Sequence, residues 1–318
     1  MIRMLETFGI ALALSGAAAG AAVAPQPLRY ETQQEAPVNS WWVSTPDGGV
    51  LVFDTLRTIS DAKAAVAKLR ALHRPVRAIL LTHGHPDHAT GLATFKAAFP
   101  QAKVYAASET AAYLHGKGRD LLQMNVKARA PGNATSEIPM PDIFVADGER
   151  LLLGGLEIRV MMLGNGESPG ATAYFFPQRN LAVTGDVLTP RRTPLLAAGK
   201  TAGWLTQIDR LGTHIRPGTT ILPGHGPAAQ LVNAAAWQQG YITRFRAEIR
   251  AVTRPNSEAG LCVSPAEARQ VLAAMRAAFP VEERVARMPA AALDQLNIEG
   301  VRFELTGRTC PGVEDPVR

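Results

Sequence analysis

Only two of the 318 residues are cysteine, Cys262 and Cys310, and both lie in the last quarter of the chain. So few exclude a disulfide-dense scaffold. They fit either one disulfide closing the C-terminal segment or two buried free thiols, and neither stands near the histidines that carry the argument below. Charged residues make up 19% against 47% hydrophobic, which excludes a disordered chain and indicates a globular one. The net charge is +6 and the pI about 9.6, yet no basic run is interleaved with aromatics. The arginines are scattered, as on a mildly basic solvated surface, and no nucleic-acid partner is expected. Internal repeats, low-complexity tracts and a Gly-x-Ser-x-Gly nucleophile elbow are also missing.

After the first two dozen residues no stretch is long and apolar enough to span a bilayer. Those first residues differ from the rest. Met1-Ile2-Arg3 is a short positive start, Phe8 to Val23 is uncharged and rich in Ala, Leu and Gly, and Ala19, Ala22 and Ala24 offer small-residue cleavage sites. Residues 1–24 are expected to be a secretory signal peptide, the alternative being an uncleaved anchor helix. The expected location is periplasmic or secreted, with no stable membrane insertion after cleavage.

What is present begins with Trp41-Trp42-Val43 and Gly49 to Phe53 around Pro46-Asp47-Gly48, a hairpin pattern. Ser60 precedes a helical stretch to about Leu72, with Val66, Leu69 and Leu72 on one face. Ala78 to Leu81 is a short apolar strand, followed by a helix from about Gly91 to Phe99 and a strand at Lys103 to Tyr105. From about residue 144 short β runs dominate, then a helix with Trp204, Ile208 and Leu211, then the strand Thr220 to Leu222. Two β–α halves of this kind predict an α/β four-layer αββα sandwich. Ser264-Pro265-Ala266-Glu267 is a capping box leading to Val271, Leu272 and Met275. Residues 25–235 are expected to form the catalytic domain and residues 236–318 a C-terminal helical extension.

Of seven histidines in the chain, three fall in His83-Gly84-His85-Pro86-Asp87-His88. Imidazole nitrogens joined by a carboxylate suit a borderline-soft dication such as Zn2+. On a tight loop after a strand, His83 and His85 can face one ion while Asp87 and His88 face a second. Gly185-Asp186 and Pro223-Gly224-His225-Gly226 end later strands. Asp186 has two oxygens and can bridge two ions, and His225 completes the second. His73, His115 and His214 stand alone in sequence and are not expected at the site.

The series Thr-His-x-His-x-Asp-His, Gly-Asp, Pro-Gly-His-Gly resembles the metallo-β-lactamase superfamily over about residues 38 to 230. Phe53-Asp54-Thr55 resembles its early strand end, where the Asp is usually structural. The resemblance implies the metallo-β-lactamase fold, two divalent ions, and hydrolysis of a small-molecule substrate. One departure matters. A His is expected in the turn that here reads Gly164-Asn165-Gly166-Glu167-Ser168-Pro169-Gly170, so Glu167 stands in its place. Alkylsulfatases of this fold resemble that arrangement, which makes Glu167 the expected third ligand of the first ion. Three carboxylates against two dications leave one net positive charge, one unit less than with His at 167. Such a site acidifies water less strongly and tolerates Mn2+ or Fe2+ better, with Zn2+ still expected first.

The expected chemistry is attack by a metal-bridging hydroxide, with Asp87 orienting the nucleophile as the catalytic side chain. Ester-, lactone- and β-lactam-like bonds suit an exported enzyme better than cytosolic thioesters or RNA. Sulfate esters are the alternative within the same chemistry. An iron-dependent oxidoreductase of this fold and a non-catalytic accessory protein are the other classes.

Overall fold

The computed structural model describes residues 26–33, 36–128, 132–254, 261–281, 283–284 and 289–310. The proposed signal segment lies outside them. The expected hairpin forms from β2 (Asn39–Ser44) and β3 (Val50–Phe53), antiparallel with Trp41 opposite Phe53. β1 (Leu28–Glu31) pairs with the outer edge of β2. On the other side β4 (Val76–Leu80), β5 (Lys103–Ala107) and β6 (Ile143–Val145) follow in parallel, giving a first sheet of six strands in chain order.

The second sheet is also six-stranded. It contains β7 (Arg150–Leu153), β8 (Leu156–Gly164), β9 (Ala171–Phe176) and β10 (Leu181–Gly185), then β12 (Thr220–Pro223) and β13 (Ala229–Gln230). β10 and β12 are parallel, with Val183 opposite Leu222, and the remaining pairings are antiparallel. The short β11 (Arg192–Thr193) and β14 (Glu283–Arg284) pair separately.

Strand alternation divides the apolar side chains among three cores. Val43, Leu51, Phe53 and Leu80 of the first sheet meet Val160, Tyr174, Phe176 and Leu222 of the second. Trp42, Val50, Val52 and Ile79 point outward onto Val66 and Leu69 of α1 (Ile59–Ala71) and Phe95 of α3 (Leu92–Ala98). Ala182 and Ile221 meet Trp204, Ile208 and Leu211 of α6 (Thr201–His214), with Ile242, Phe245 and Ile249 of α7 (Leu231–Val252). Helix, sheet, sheet, helix is the expected four-layer sandwich.

Three details differ from the sequence reading. Thr58, not Ser60, caps α1: its backbone is extended, and its hydroxyl accepts a hydrogen bond from the Asp61 amide at 3.1 Å. Between the strand at Lys103 and residue 144, where the sequence reading placed no element, lie α4 (Ser108–His115) and α5 (Arg119–Lys127). The His cluster itself includes a single helical turn, α2 (Pro86–Ala89), with Pro86 in its first turn.

The C-terminal helices share the outer core of the second sheet. α7 runs unbroken through residues 235 and 236, and Val271 and Met275 of α8 (Pro265–Ala278) and Ile298 and Val301 of α9 (Ala290–Thr306) join the same cluster. The capping box at Ser264 and Glu267 is present. Cys262 and Cys310 form a disulfide with Cα atoms 5.4 Å apart, tying the approach to α8 to the end of α9. Asn297 of α9 reaches the segment after Asp186, accepting from the Leu196 amide at 2.6 Å and donating to the Pro194 carbonyl at 2.9 Å. Among the described residues no helix is long and apolar enough to cross a membrane.

Lys200 at the start of α6 makes no side-chain cap. Glu304 of α9 supplies one from outside, accepting from the amides of Thr201 at 3.1 Å and Ala202 at 2.9 Å. Arg246 of α7 pairs with the same carboxylate at 2.9 Å. Although partial burial opposes its charge, the hydrogen bonds and Arg246 hold the Glu304 carboxyl below its usual range. Because the folded-state value is depressed, this stabilisation is complete above the unfolded carboxyl value and fades as pH falls through the folded one. Glu304→Ala should therefore cost about 1–2 kcal/mol near neutral pH, a drop of roughly 2–4 °C in Tm, with the gap to wild type narrowing toward pH 3. Thermal unfolding at several pH values measures it.

Candidate metal centre

The candidate ligands come from loops that leave one end of the sandwich. β4 delivers Thr82 to His88, the β8–β9 turn carries Glu167, β10 ends at Asp186, and β12 leads into His225. All seven expected residues meet in two adjoining sets. His83, His85, Glu167 and Asp186 form one, and Asp87, His88 and His225 the other; ligand atoms within each set lie within 4.8 Å of one another. In the first, His83 Nε2 and His85 Nδ1 are 3.1 Å apart, and Glu167 Oε1 lies 3.1 Å from His85 Nδ1 and 3.9 Å from His83 Nε2. Asp186 stands between the sets, with Oδ1 3.4 Å from His88 Nε2 and Oδ2 3.2 Å from His225 Nε2. Asp87 Oδ2 is 3.4 Å from His225 Nε2.

Close approach has a sequence cause at Gly224. A Cβ there would overlap Asp186 Oδ1 and come within 2.7 Å of His88 Cε1, so the turn before His225 accepts only glycine.

Hydrogen bonds behind the cluster decide which ring nitrogens face inward. Asp54 takes the Thr82 amide on Oδ1 and the Thr82 hydroxyl on Oδ2, each at 2.8 Å, and its Oδ2 also meets His88 Nδ1 at 2.8 Å. A carboxylate can only accept, so His88 Nδ1 carries the proton and Nε2 is left basic. His225 Nδ1 donates to the Pro37 carbonyl at 2.5 Å, with the same result. Thr82 Oγ1 spends its proton on Asp54 and accepts from His83 Nδ1 at 2.9 Å. Asp54 adopts a left-handed backbone, φ 60°, as does Leu56, φ 74°. Local strain of this kind persists where surrounding contacts overdetermine it. Asp54 is thus the structural Asp that the resemblance implied.

Arg57 was not found from the sequence. Its guanidinium, 9% exposed at the side chain, lies 2.5 Å from Asp87 Oδ2. A single charged residue a few positions past a strand has no spacing rule to reveal it. Burial opposes the Asp87 charge, but Arg57, with His88 and His225, holds this carboxyl well below its usual range. His225 and His88 do the same for Asp186, and His83 and His85 lower Glu167, each against burial. Burial lowers the His83 value to about 4, whereas for His225 the carboxylates of Asp186 and Asp87 outweigh burial and raise it to about 9.

His73, in the turn after α1, and His115 and His214, at the ends of α4 and α6, are exposed and belong to neither set, as expected.

The donor chemistry fits divalent cations. His88 Nε2, Glu167 Oε2, Asp186 Oδ1 and His225 Nε2 are buried and make no hydrogen bond. Buried polar atoms left in this way are costly unless an ion or ligand meets them. Three carboxylates and four imidazoles around one small volume are such a meeting place.

This fold and this site define a metal-dependent hydrolase. Residues 34–229 match the family model of the metallo-beta-lactamase superfamily, and the chain belongs to that family. A probable metallo-hydrolase of Streptococcus pyogenes is 30% identical over 185 residues, which cover 54% of this chain and 73% of the relative. A beta-lactamase domain protein from Burkholderia ambifaria superposes with a TM-score of 0.64 at 18% identity, covering 88% of this chain and 84% of that one. The sec-alkyl sulfatase PisA1 superposes at 0.58 with 20% identity, covering 92% of this chain and 50% of the sulfatase. Both structural likenesses speak to the fold alone.

His85→Ala and Asp186→Ala each remove a donor that the cluster presents inward. Both variants should lose bound metal, and hydrolytic turnover should fall by more than about a hundredfold. Metal content per chain by mass spectrometry, measured beside activity, checks the assignment; wild-type values in both variants would refute it.

Proposed function

We propose that this protein is an exported hydrolase that holds two divalent ions, Zn2+ first, and cleaves an ester-, lactone- or β-lactam-like bond of a small molecule. The observation that carries the reading is the position of Asp186, whose two oxygens approach histidines of the second set while it also belongs to the first. His83, His85 and Glu167 would hold one ion, Asp87, His88 and His225 the other, with Asp186 between them. When bound, such ions acidify water and polarise the oxygen of the scissile group.

The chain's own residues do the rest. Arg57 keeps Asp87 anionic, so Asp87 accepts a hydrogen bond from the attacking water and orients it. Asp87 can carry a proton to the leaving group only transiently, since the guanidinium beside it disfavours the neutral acid. Asp54, through Thr82 and His88, keeps the ring orientation constant through the cycle. Export is supported by the composition of residues 1–24 and by the Cys262–Cys310 disulfide, which suits an oxidising compartment. The mature chain is then expected to begin between Gly20 and Gln26, as N-terminal sequencing of periplasmic material would read.

A second reading, sulfate-ester hydrolysis, is favoured by one feature. Glu167 replaces a neutral imidazole by an anion beside His85 and lowers the charge of the site.

A panel of a chromogenic cephalosporin, a lactone, an aryl ester and an aryl sulfate, run with a metal count, separates the readings. Turnover of an acyl substrate with two ions per chain is expected. Turnover confined to the sulfate would favour the second reading, and iron with redox activity would overturn both. Glu167→His should raise the site charge by one unit, shift preference toward Zn2+, and move the acidic limb of the pH–rate profile to lower pH. An unchanged profile and unchanged metal preference would show that Glu167 does not set the site charge.

A further inference from the structure

Glu167 sits on a turn rich in glycine, and such a turn does not hold a side chain still by itself. Its support comes from α6. Gln207, fully buried on that helix, accepts the Glu167 amide on Oε1 at 2.9 Å and donates from Nε2 to the Gly164 carbonyl at 2.9 Å. One side chain therefore grips the turn at both its beginning and its middle. Gly166 lies so close to the helix that a Cβ would come 2.5 Å from the Trp204 amide nitrogen and 2.6 Å from Gln207 Oε1. The turn is docked on the α6 backbone with no room for a side chain between.

The choice of bonds matters as much as their number. Gln207 holds the backbone of Glu167 and leaves its carboxylate alone. Oε1 faces His85 and His83, and Oε2 is buried without a hydrogen bond. A residue that instead donated to the carboxylate would compete with a cation for its lone pairs. Gln207 gives orientation without that competition, and the second set takes its orienting bonds from other residues, Asp54 and Pro37.

We propose that Gln207 is the positioning residue of the first metal set, fixing the Glu167 carboxylate from helix α6 and so setting the affinity of the His83–His85–Glu167 subsite independently of the other. The inference rests on Glu167 being a ligand. It also makes α6 part of the metal centre, and through the Glu304 cap it links that centre to α9.

The test uses the full mature chain, stripped of metal by a chelator and titrated with Zn2+ against a chromophoric competitor, and with Co2+ followed by its visible absorption. Gln207→Met keeps the length of the side chain and removes both hydrogen bonds. It should weaken one of the two binding steps by about 10–100-fold, the usual consequence of losing an outer-shell partner, and leave the other within about threefold. The Co2+ spectrum of the weakened step should change and that of the retained step should not. Gln207→Glu keeps an acceptor for the Glu167 amide, so its loss should be smaller. Equal weakening of both steps, or two unchanged steps, in Gln207→Met would overturn the proposal. Should Gln207→Met not fold, Gln207→Glu decides: two unchanged steps, or weakening confined to the step that Glu167→Gln leaves intact, refutes it. Glu167→Gln, titrated alongside, separates the two failures. If it weakens one step while Gln207→Met weakens neither, the positioning role is wrong and the ligand reading stands. If neither variant changes either step, the ligand reading falls with it.

Discussion

The carboxylates of Asp54, Asp87, Glu167 and Asp186 are buried around the same four imidazoles, and in a medium of low dielectric such crowding persists only where cations and hydrogen-bond donors answer each charge. Much of the local structure follows from that requirement. Asp54 is answered by the Thr82 amide and hydroxyl and by His88, and Asp87 by Arg57. Asp186 and Glu167 have only histidines beside them, with an oxygen of each left unbonded. The unanswered charge is concentrated where divalent ions fit.

The sandwich serves this requirement by bringing strand ends from both sheets to one edge. The inter-sheet core made by Phe53, Leu80, Tyr174 and Leu222 fixes the relative height of β3, β4, β9 and β12, and so of the loops that leave them. Tyr174 also donates its hydroxyl to the Leu81 carbonyl at 3.0 Å, across from one sheet to the other and next to Thr82. Asn39 and Trp41 of β2 do the equivalent for the second sheet, donating to Pro223 and Gly226 carbonyls around His225. The helices after residue 230 are no appendage in packing terms, because their apolar faces complete the third core.

Much of this was legible in the sequence where the signal was local. The ligands lie in short motifs at strand ends, and four of them fall within six positions, so the cluster and the layer order could be read together. The hairpin, the Ser264 capping box and the single bland histidines depend on near neighbours and came out as expected. The start of α1 did not, since Ser60 and Thr58 are both good caps and only the extended backbone at Thr58 decides between them. α4 and α5 were missed because helices of only eight and nine residues show an apolar period too briefly to stand out in the sequence. Arg57 and Gln207 were invisible for another reason. Their partners are 30 and 40 residues away, and one polar residue has no periodicity to betray it. The cysteine pairing likewise depended on how α8 and α9 fold back on each other.

The inward-facing nitrogens have a consequence for how the protein is assembled in its compartment. The carboxylates raise His225 to about 9 and His88 well above the usual imidazole value, against the cost of burial. Filling the centre is then an exchange, in which protons leave as cations enter, with the rings already turned the right way. Such a site fills more readily as the pH rises and empties in acid. The acidity of the surroundings, as much as the supply of metal, would govern what fraction of the molecules is competent.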